Sequence, residues 1–441
     1  MNRRHFVSMS AGAGLAAAQQ RRPNVLFVLA DQWRAQTLPS SGDRQLQAPH
    51  LSRLAEEGMH FDRAYASYPV CTPSRASMIT GRFPHACRMP KNDLQLPREE
   101  PSIAAQLRAA GYATGYIGKW HLDGEERPGF VPPGWRRRGF EYWAGFNRGH
   151  RYYDSVYFRD EPQPIQTQGF EPEYQTGLAI DFIRRNKQNP FYLFLSWGPP
   201  HTPRTPPPET RGLYDAREFV LRDNVPESYA GQARKGYAGY YGLCSALDRQ
   251  MGRLLKTLDE EGLSRDTMVV FTADHGDMLG SQGLEYKNEP YEESARIPLL
   301  IRYPRGLAAG SRNGMPVSNV DFMPTLLGLC GAEIPDEVQG VDHSTLLTTG
   351  QGRRAESIFA EGKMAGDGEW RMIVRGHEKM VIDRQGEVTH LYNLSNDPNE
   401  MDNLKSAREH RLTRDSLMAL LNDWRKRTGD GRSGSGLRSR G

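Results

Sequence analysis

This chain of 441 residues has few of the features that commonly announce a function. Its four cysteines, Cys71, Cys87, Cys244 and Cys330, include no C-x-x-C pair. That spacing excludes a zinc knuckle and a thioredoxin-type redox site. No segment approaches the roughly 20 apolar residues needed to cross a bilayer, so no membrane span is expected. Basic charge is scarce where a nucleic-acid surface would need it. The formal charge is +4, but Arg3 and Arg4 supply +2 and the stretch from Arg427 to Gly441 supplies +3. The body between them is left at about −1, which argues against a nucleic-acid partner, because such surfaces need basic residues clustered on the fold itself. No internal repeat is visible.

What is present is a series of short, continuously apolar runs: Val25–Ala30, Tyr112–Ile117, Phe191–Trp197, Met268–Thr272 and Pro298–Ile301. Unbroken apolar runs of this length fit parallel strands covered on both faces. Between them lie helical patterns over Pro49–Gly58, Ser102–Ala110, Glu173–Asn186 and Tyr237–Glu261, the last stopped by Gly262. The alternation predicts an α/β fold, a large mixed, mostly parallel sheet sandwiched by helices. Two stretches, Gly124–Pro172 and Gly198–Ala230, read as long surface loops walling a pocket. Beyond about residue 345 the segments Ser357–Glu361, Arg371–Arg375, Lys379–Ile382 and His390–Tyr392 predict an antiparallel sheet, followed by a helix over Ala407–Lys426.

The expected organisation is a leader over 1–20, a catalytic domain over 22–345, a small C-terminal α+β domain over 346–426 and a disordered tail over 427–441. The leader carries Arg3-Arg4-His5-Phe6-Val7, a weakly apolar stretch and small residues at Ala16 to Ala18. It resembles a twin-arginine export signal, which predicts a bacterial protein that is periplasmic or secreted.

In open α/β sheets, function gathers at the carboxyl ends of the strands. Two of the apolar runs end in an acid there, Asp31 and Asp274. Between them in sequence stands Cys71-Thr72-Pro73-Ser74-Arg75, followed by Thr80-Gly81-Arg82. Acids at two strand ends with a cysteine between them point to a metal-assisted nucleophile.

The Cys71 run closely resembles the signature of the sulfatase family. The likeness extends over Gly118-Lys119-Trp120-His121-Leu122, Pro199-Pro200-His201, Ala273-Asp274-His275-Gly276-Asp277, Lys287 ahead of Pro290, and Leu391 to Glu400. It implies an alkaline-phosphatase-like core. It also implies that a formylglycine-generating enzyme converts Cys71 to formylglycine, whose hydrate supplies two hydroxyls. At most one disulfide would then remain possible, and Cys244 and Cys330 read as small buried residues.

By the same resemblance Asp31, Gln32, position 71, Asp274 and His275 hold one divalent cation. The family usually has a second Asp where this chain has Gln32, and Asn or His at position 275. Calcium is the expectation; the imidazole keeps manganese open, and magnesium is the third possibility. Arg75 would hold the diol, Lys119 would bridge it to the sulfate and Lys287 would grip a sulfate oxygen. His121 would take the proton from the second hydroxyl, and His201 would protonate the leaving alcohol.

His5, His60, His343 and His377 read as ordinary packed or exposed residues. His85 and His150 stay undecided, with His150 a candidate to face the substrate. The expected activity is hydrolysis of a sulfated small molecule or sulfated carbohydrate. A phosphonate or phosphate monoester hydrolase of the same superfamily is the alternative. A non-catalytic glycan-binding relative is disfavoured, because every catalytic position is filled.

Overall fold

A computed structural model describes residues 22–430 except 353, 365 and 367. The predicted export signal, with His5, and the last residues of the predicted tail lie outside the described residues.

The centre is an eight-stranded sheet. Its strands in chain order are β1 (Asn24–Asp31), β2 (Met59–Phe61), β3 (Ala113–Lys119), β4 (Tyr142–Phe146), β5 (Phe191–Pro200), β6 (Thr267–Ala273), β7 (Leu299–Arg302) and β8 (Ser311–Asn313). Their spatial order is β8-β2-β7-β6-β1-β5-β3-β4. The five strands from β6 to β4 all run parallel. Every residue of β1, β5 and β6 is buried, as their unbroken apolar runs require. The run at Pro298–Ile301 was expected to be parallel as well. Instead β7 lies antiparallel to both β6 and β2. The chain leaving β6 loops across the carboxyl edge of the sheet and re-enters from that side, so the next strand must run back.

Four helices matter for the site. These are α1 (Cys71–Thr80), α2 (Glu171–Asn186), α3 (Glu227–Glu260) and the short α4 (Glu292–Ala295). Helix α1 has all ten residues buried and no hydrophobic face, so periodicity gives no sign of it. Helix α3 starts ten residues before the predicted Tyr237, inside the expected second loop. Its early turns hold glycines because the Arg204–Pro206 segment lies against them; a Cβ on Gly239 would sit 2.5 Å from the Arg204 carbonyl oxygen. The expected first loop likewise contains a sheet strand, β4, paired in register with β3 from Gly115–Tyr142 to Lys119–Phe146.

The C-terminal part is a four-stranded antiparallel sheet, β9 (Ser357–Gly362), β10 (Trp370–Arg375), β11 (Glu378–Asp383) and β12 (Val388–Asn393), as the sequence predicts. Helix α5 (Arg411–Thr428) packs on it through Leu417, Leu421 and Trp424. Phe83 and Val320 from the larger part join the same apolar cluster, so the two parts share a core. The chain stays built into this unit past residue 427: Asp430 is buried and bonds Arg371 at 2.7 Å twice.

All four cysteines are free and buried. Among the described residues no helix is long and apolar enough to cross a membrane.

Candidate active site

The site sits at the carboxyl edge of the parallel strands. β1 and β6 are neighbours with Ala30 opposite Ala273, so the acids that follow, Asp31 and Asp274, emerge side by side. Cys71 is the first residue of α1. The ligand atoms of Asp31, Cys71, Asp274 and His275 all lie within 4.8 Å of one another, and all four residues are buried. The Cys71 Sγ is 3.2 Å from His275 Nε2 and 3.8 Å from Asp31 Oδ1.

This cluster is strongly charged. Arg75, one turn along α1, donates to Asp31 at 3.1 Å and to Asp274 at 3.0 Å, and also to Ser196 Oγ and the Lys119 carbonyl. Lys119 Nζ lies 2.5 Å from Asp31 Oδ2. Burial alone would raise the Asp31 carboxyl, but Lys119, His201 and Arg75 hold it well below its ordinary value. Asp274 goes the other way, raised by burial and by the Asp31 charge beside it. Burial and Asp31 would push the Cys71 thiol up, yet Lys119, Lys287 and His275 bring it well below its ordinary value.

The donor set suits a hard dication. Two carboxylates crowd each other, and a cation would relieve the repulsion that raises Asp274. His275 Nδ1 donates to the Gly276 carbonyl at 2.9 Å, which leaves the Nε2 lone pair facing the cluster. Gln32 is engaged differently from a simple ligand. Its amide oxygen accepts from Lys287 Nζ at 2.6 Å, and its NH2 donates to Asp277 at 2.6 Å. Any place Gln32 takes around a cation is therefore shared with the Lys287 ammonium.

The two expected acid–base imidazoles flank the cluster. His201 follows β5, and its N–H donates to the Asp31 carbonyl at 3.1 Å. Its Nδ1 donates to the Thr202 carbonyl at 2.8 Å, leaving Nε2 as the free nitrogen. Burial and then Lys287 push His201 down to about 4. His121 follows β3 by two residues, and its carbonyl accepts from the Thr72 hydroxyl at 2.9 Å.

The segment after β4, the loop after α1 and the segment after β6 bring residues to which sequence reasoning gave no definite role. His150 Nε2 lies 3.2 Å from Lys119 Nζ, and its ring stacks on His201. Asp93 bonds His121, and Arg148 pairs with Asp93. Asp277 links Gln32 to Arg204. For His150 the signal was its place in Gly145–Tyr153; Asp277 stood at the end of the Ala273–Asp277 run without a role of its own, and Asp93 gave no signal. His85 lies elsewhere, bonded to Glu361 at 2.7 Å near Asp430, where Arg371 neutralises the acids. His60 and His343 are buried, and His377 is exposed with its ring nitrogens in hydrogen-bond reach of Arg63.

A parallel α/β sheet whose strand ends hold a buried carboxylate pair, an imidazole and a cysteine among fixed cations defines a hydrolase of the alkaline-phosphatase-like superfamily. Residues 23–332 match the sulfatase family, a family of sulfuric ester hydrolases, and this chain belongs to it. Residues 280–427 match the family described as N-sulphoglucosamine sulphohydrolase, C-terminal. An ulvan-active sulfatase of Formosa agariphila is 36% identical over 334 residues. That match covers 74% of this chain and 65% of the relative, so the chain spans under two thirds of the relative's length. The structure of yidJ from Bacteroides fragilis superposes with a TM-score of 0.87 at 28% identity, covering 95% of this chain and 98% of the other. A protein solved with its substrate D-glucosamine-2-N,6-O-disulfate superposes with a TM-score of 0.85 at 25% identity, covering 93% and 99%.

Proposed function

We propose that this protein hydrolyses sulfate monoesters of carbohydrates, with position 71 as the nucleophile. The observation that carries this reading is the convergence of Cys71 with Asp31, Asp274 and His275 under the ammonium and guanidinium groups of Lys119 and Arg75. A formylglycine hydrate at position 71 supplies one hydroxyl to attack sulfur and a second whose deprotonation expels sulfate. A dication held by Asp31, Asp274 and His275, calcium first and manganese or magnesium after it, would lower the pKa of the attacking hydroxyl and polarise a sulfate oxygen.

The residues then divide the work. Arg75 fixes both carboxylates and so the geometry of the nucleophile. Lys119 and Lys287 meet the negative charge of the sulfate, one from the β3 side and one from the Gln32 side. His201, once the negative charge of the bound sulfate has favoured protonation at Nε2, is placed to give that proton to the departing oxygen. His121 takes the proton that releases sulfate. Sugar sulfates as substrates are supported by the ulvan-active relative and by the glucosamine disulfate complex. Export through the twin-arginine route, after a formylglycine-generating enzyme has acted, is the matching cellular itinerary.

The test is release of sulfate from a panel of sulfated mono- and oligosaccharides, with Cys71→Ala beside the native protein. Native turnover and loss of essentially all of it in the variant are expected. Intact mass adds a second readout: conversion exchanges hydrogen sulfide for oxygen, a fall of about 18 Da. Turnover surviving in Cys71→Ala overturns the reading. Gln32 and His275 also suit a phosphonate or phosphate monoester hydrolase, and faster cleavage of an aryl phosphonate than of the matching aryl sulfate would favour that alternative.

A further inference from the structure

His121 is the imidazole proposed to finish the reaction, and its surroundings contain a second carboxylate system outside the metal cluster. The register of β3 on β4 creates it. Because Lys119 pairs with Phe146, the residues just beyond, His121 and Arg148, leave the sheet edge together. The His121 N–H donates to the Asn147 carbonyl at 2.5 Å, which ties the two segments. Asp93 reaches the same point from the loop after α1. Its Oδ1 lies 2.8 Å from His121 Nε2 and also takes the Arg148 guanidinium. The backbone N–H groups of Thr72 and Asp93 are in turn held by the Asn92 side chain and the Thr72 hydroxyl.

A carboxylate can only accept at Nε2, so the neutral ring carries its hydrogen there. The other ring nitrogen, Nδ1, is buried and has no hydrogen-bond partner. His121 itself sits at a φ of +59°, a left-handed conformation that a side chain rarely adopts without surrounding support.

We propose that Asp93, clamped by Arg148, is a positioning residue that holds His121 in the Nε2–H tautomer with Nδ1 free as the base. This rests on the sulfatase reading and on His121 as the group that releases sulfate. In that step Nδ1 takes the proton of the second hydroxyl at position 71. The C–O bond to sulfate breaks, sulfate leaves with the electron pair, and the carbonyl re-forms. Asp93 accepts the Nε2–H throughout and takes no proton, while its charge favours the imidazolium that forms.

The consequence is specific to the second half of the reaction. Asp93→Asn keeps shape and removes charge. It should lower kcat about 10- to 100-fold. KM should fall in parallel, leaving kcat/KM within about threefold of native, because the first half is untouched. The first turnover should then release alcohol as a burst ahead of sulfate. Imidazole nitrogen NMR on protein that keeps the Cys71 thiol gives a readout independent of turnover. It should show the Nε2–H tautomer in the native chain and a mixture in Asp93→Ala.

A native kcat in Asp93→Asn overturns the proposal. So does a fall of kcat/KM in step with kcat and no burst, or an unchanged tautomer in Asp93→Ala. If native protein itself lacks sulfatase turnover, it is the sulfatase reading that has failed, and the tautomer measurement still decides the role of Asp93.

Discussion

The imidazole rings of His150 and His201 lie face to face, 3.6 Å between centroids and 5° from parallel. Both are buried, and both have their pKa values depressed, His150 by burial, Lys119 and its neighbour His201. Two charged rings could not share this contact, so the stack keeps the pair from being doubly protonated. His150 also accepts from Lys119, which ties the stack to the cation over Asp31. His150→Ala should therefore let both His201 and Lys119 drift, lowering kcat/KM about 100-fold, the scale of a misplaced reacting group. His150→Phe keeps a flat ring under His201 and should lose clearly less. Steady-state kinetics on one aryl sulfate compares them; equal losses would mean that stacking does not hold His201.

Asp277 is fully buried and accepts from Gln32, Arg204 and the Leu279 N–H. Burial would raise its carboxyl, but Arg204 and the Gln32 amide keep it below the ordinary value. Removing one member of a buried pair costs about 3 kcal/mol, because the other charge is left behind. Asp277→Ala should lose about that much in denaturant unfolding and should also raise KM, since Gln32 no longer presents its oxygen to Lys287. Unchanged stability would show that Glu285, 3.4 Å from Arg204, takes over the guanidinium.

The parts of this fold that were legible in sequence are those in which one residue pattern served one purpose. The runs at Val25, Phe191 and Met268 are buried on both faces, so their composition alone marks them as strands. Asp31, Cys71, Arg75, Lys119, Asp274 and His275 stand in segments distinctive enough to single out. Three things were hidden. Helix α1 is buried all round and shows no period. Strand β4 lies in a stretch dense with Arg, Gly and aromatics, because its far end serves the site. Glycines near the start of α3 hid its first ten residues, about three turns of helix. Asp93, His150 and Asp277 act through contacts that depend on strand register and loop closure, which a single chain does not display.

The junction between the C-terminal sheet and the larger part should be pH-sensitive in both directions. His85 is raised above its ordinary 6.5: burial lowers it, and Glu361 more than compensates. Its contribution is full below 6.5 and is lost as pH rises through the higher folded value. Asp430 is held below its ordinary 3.8 against burial by Arg371, so its contribution is present above 3.8 and is lost as pH falls through the folded value. Thermal unfolding should show a plateau between these limits and a decline on the alkaline side. His85→Asn should flatten the alkaline decline only. Asp430→Ala should cost about 3 kcal/mol at neutral pH by leaving Arg371 buried without its bidentate partner.

Gly118 offers the sharpest test of how tightly the site depends on the sheet. It precedes Lys119 in β3, pairs with Ser196 in β5 and has a φ of +104°. A Cβ built there would lie 2.0 Å from the Ser196 carbonyl oxygen, a contact that no side-chain rotation can relieve. Gly118→Ala must therefore push β3 away from β5. Lys119 moves with β3, while Ser196, whose hydroxyl takes Arg75, stays with β5. The expected outcome is a loss of at least about 4 kcal/mol, or no folded protein, because backbone strain and a core clash add. Gly111→Ala is the control: its φ is +86°, but a Cβ there meets nothing within 4 Å. It should cost only the left-handed backbone penalty, about 1–2 kcal/mol, and leave kcat unchanged. Similar losses in the two variants would mean that φ alone is the cost, and that the close approach of the two strands does not fix the lysine.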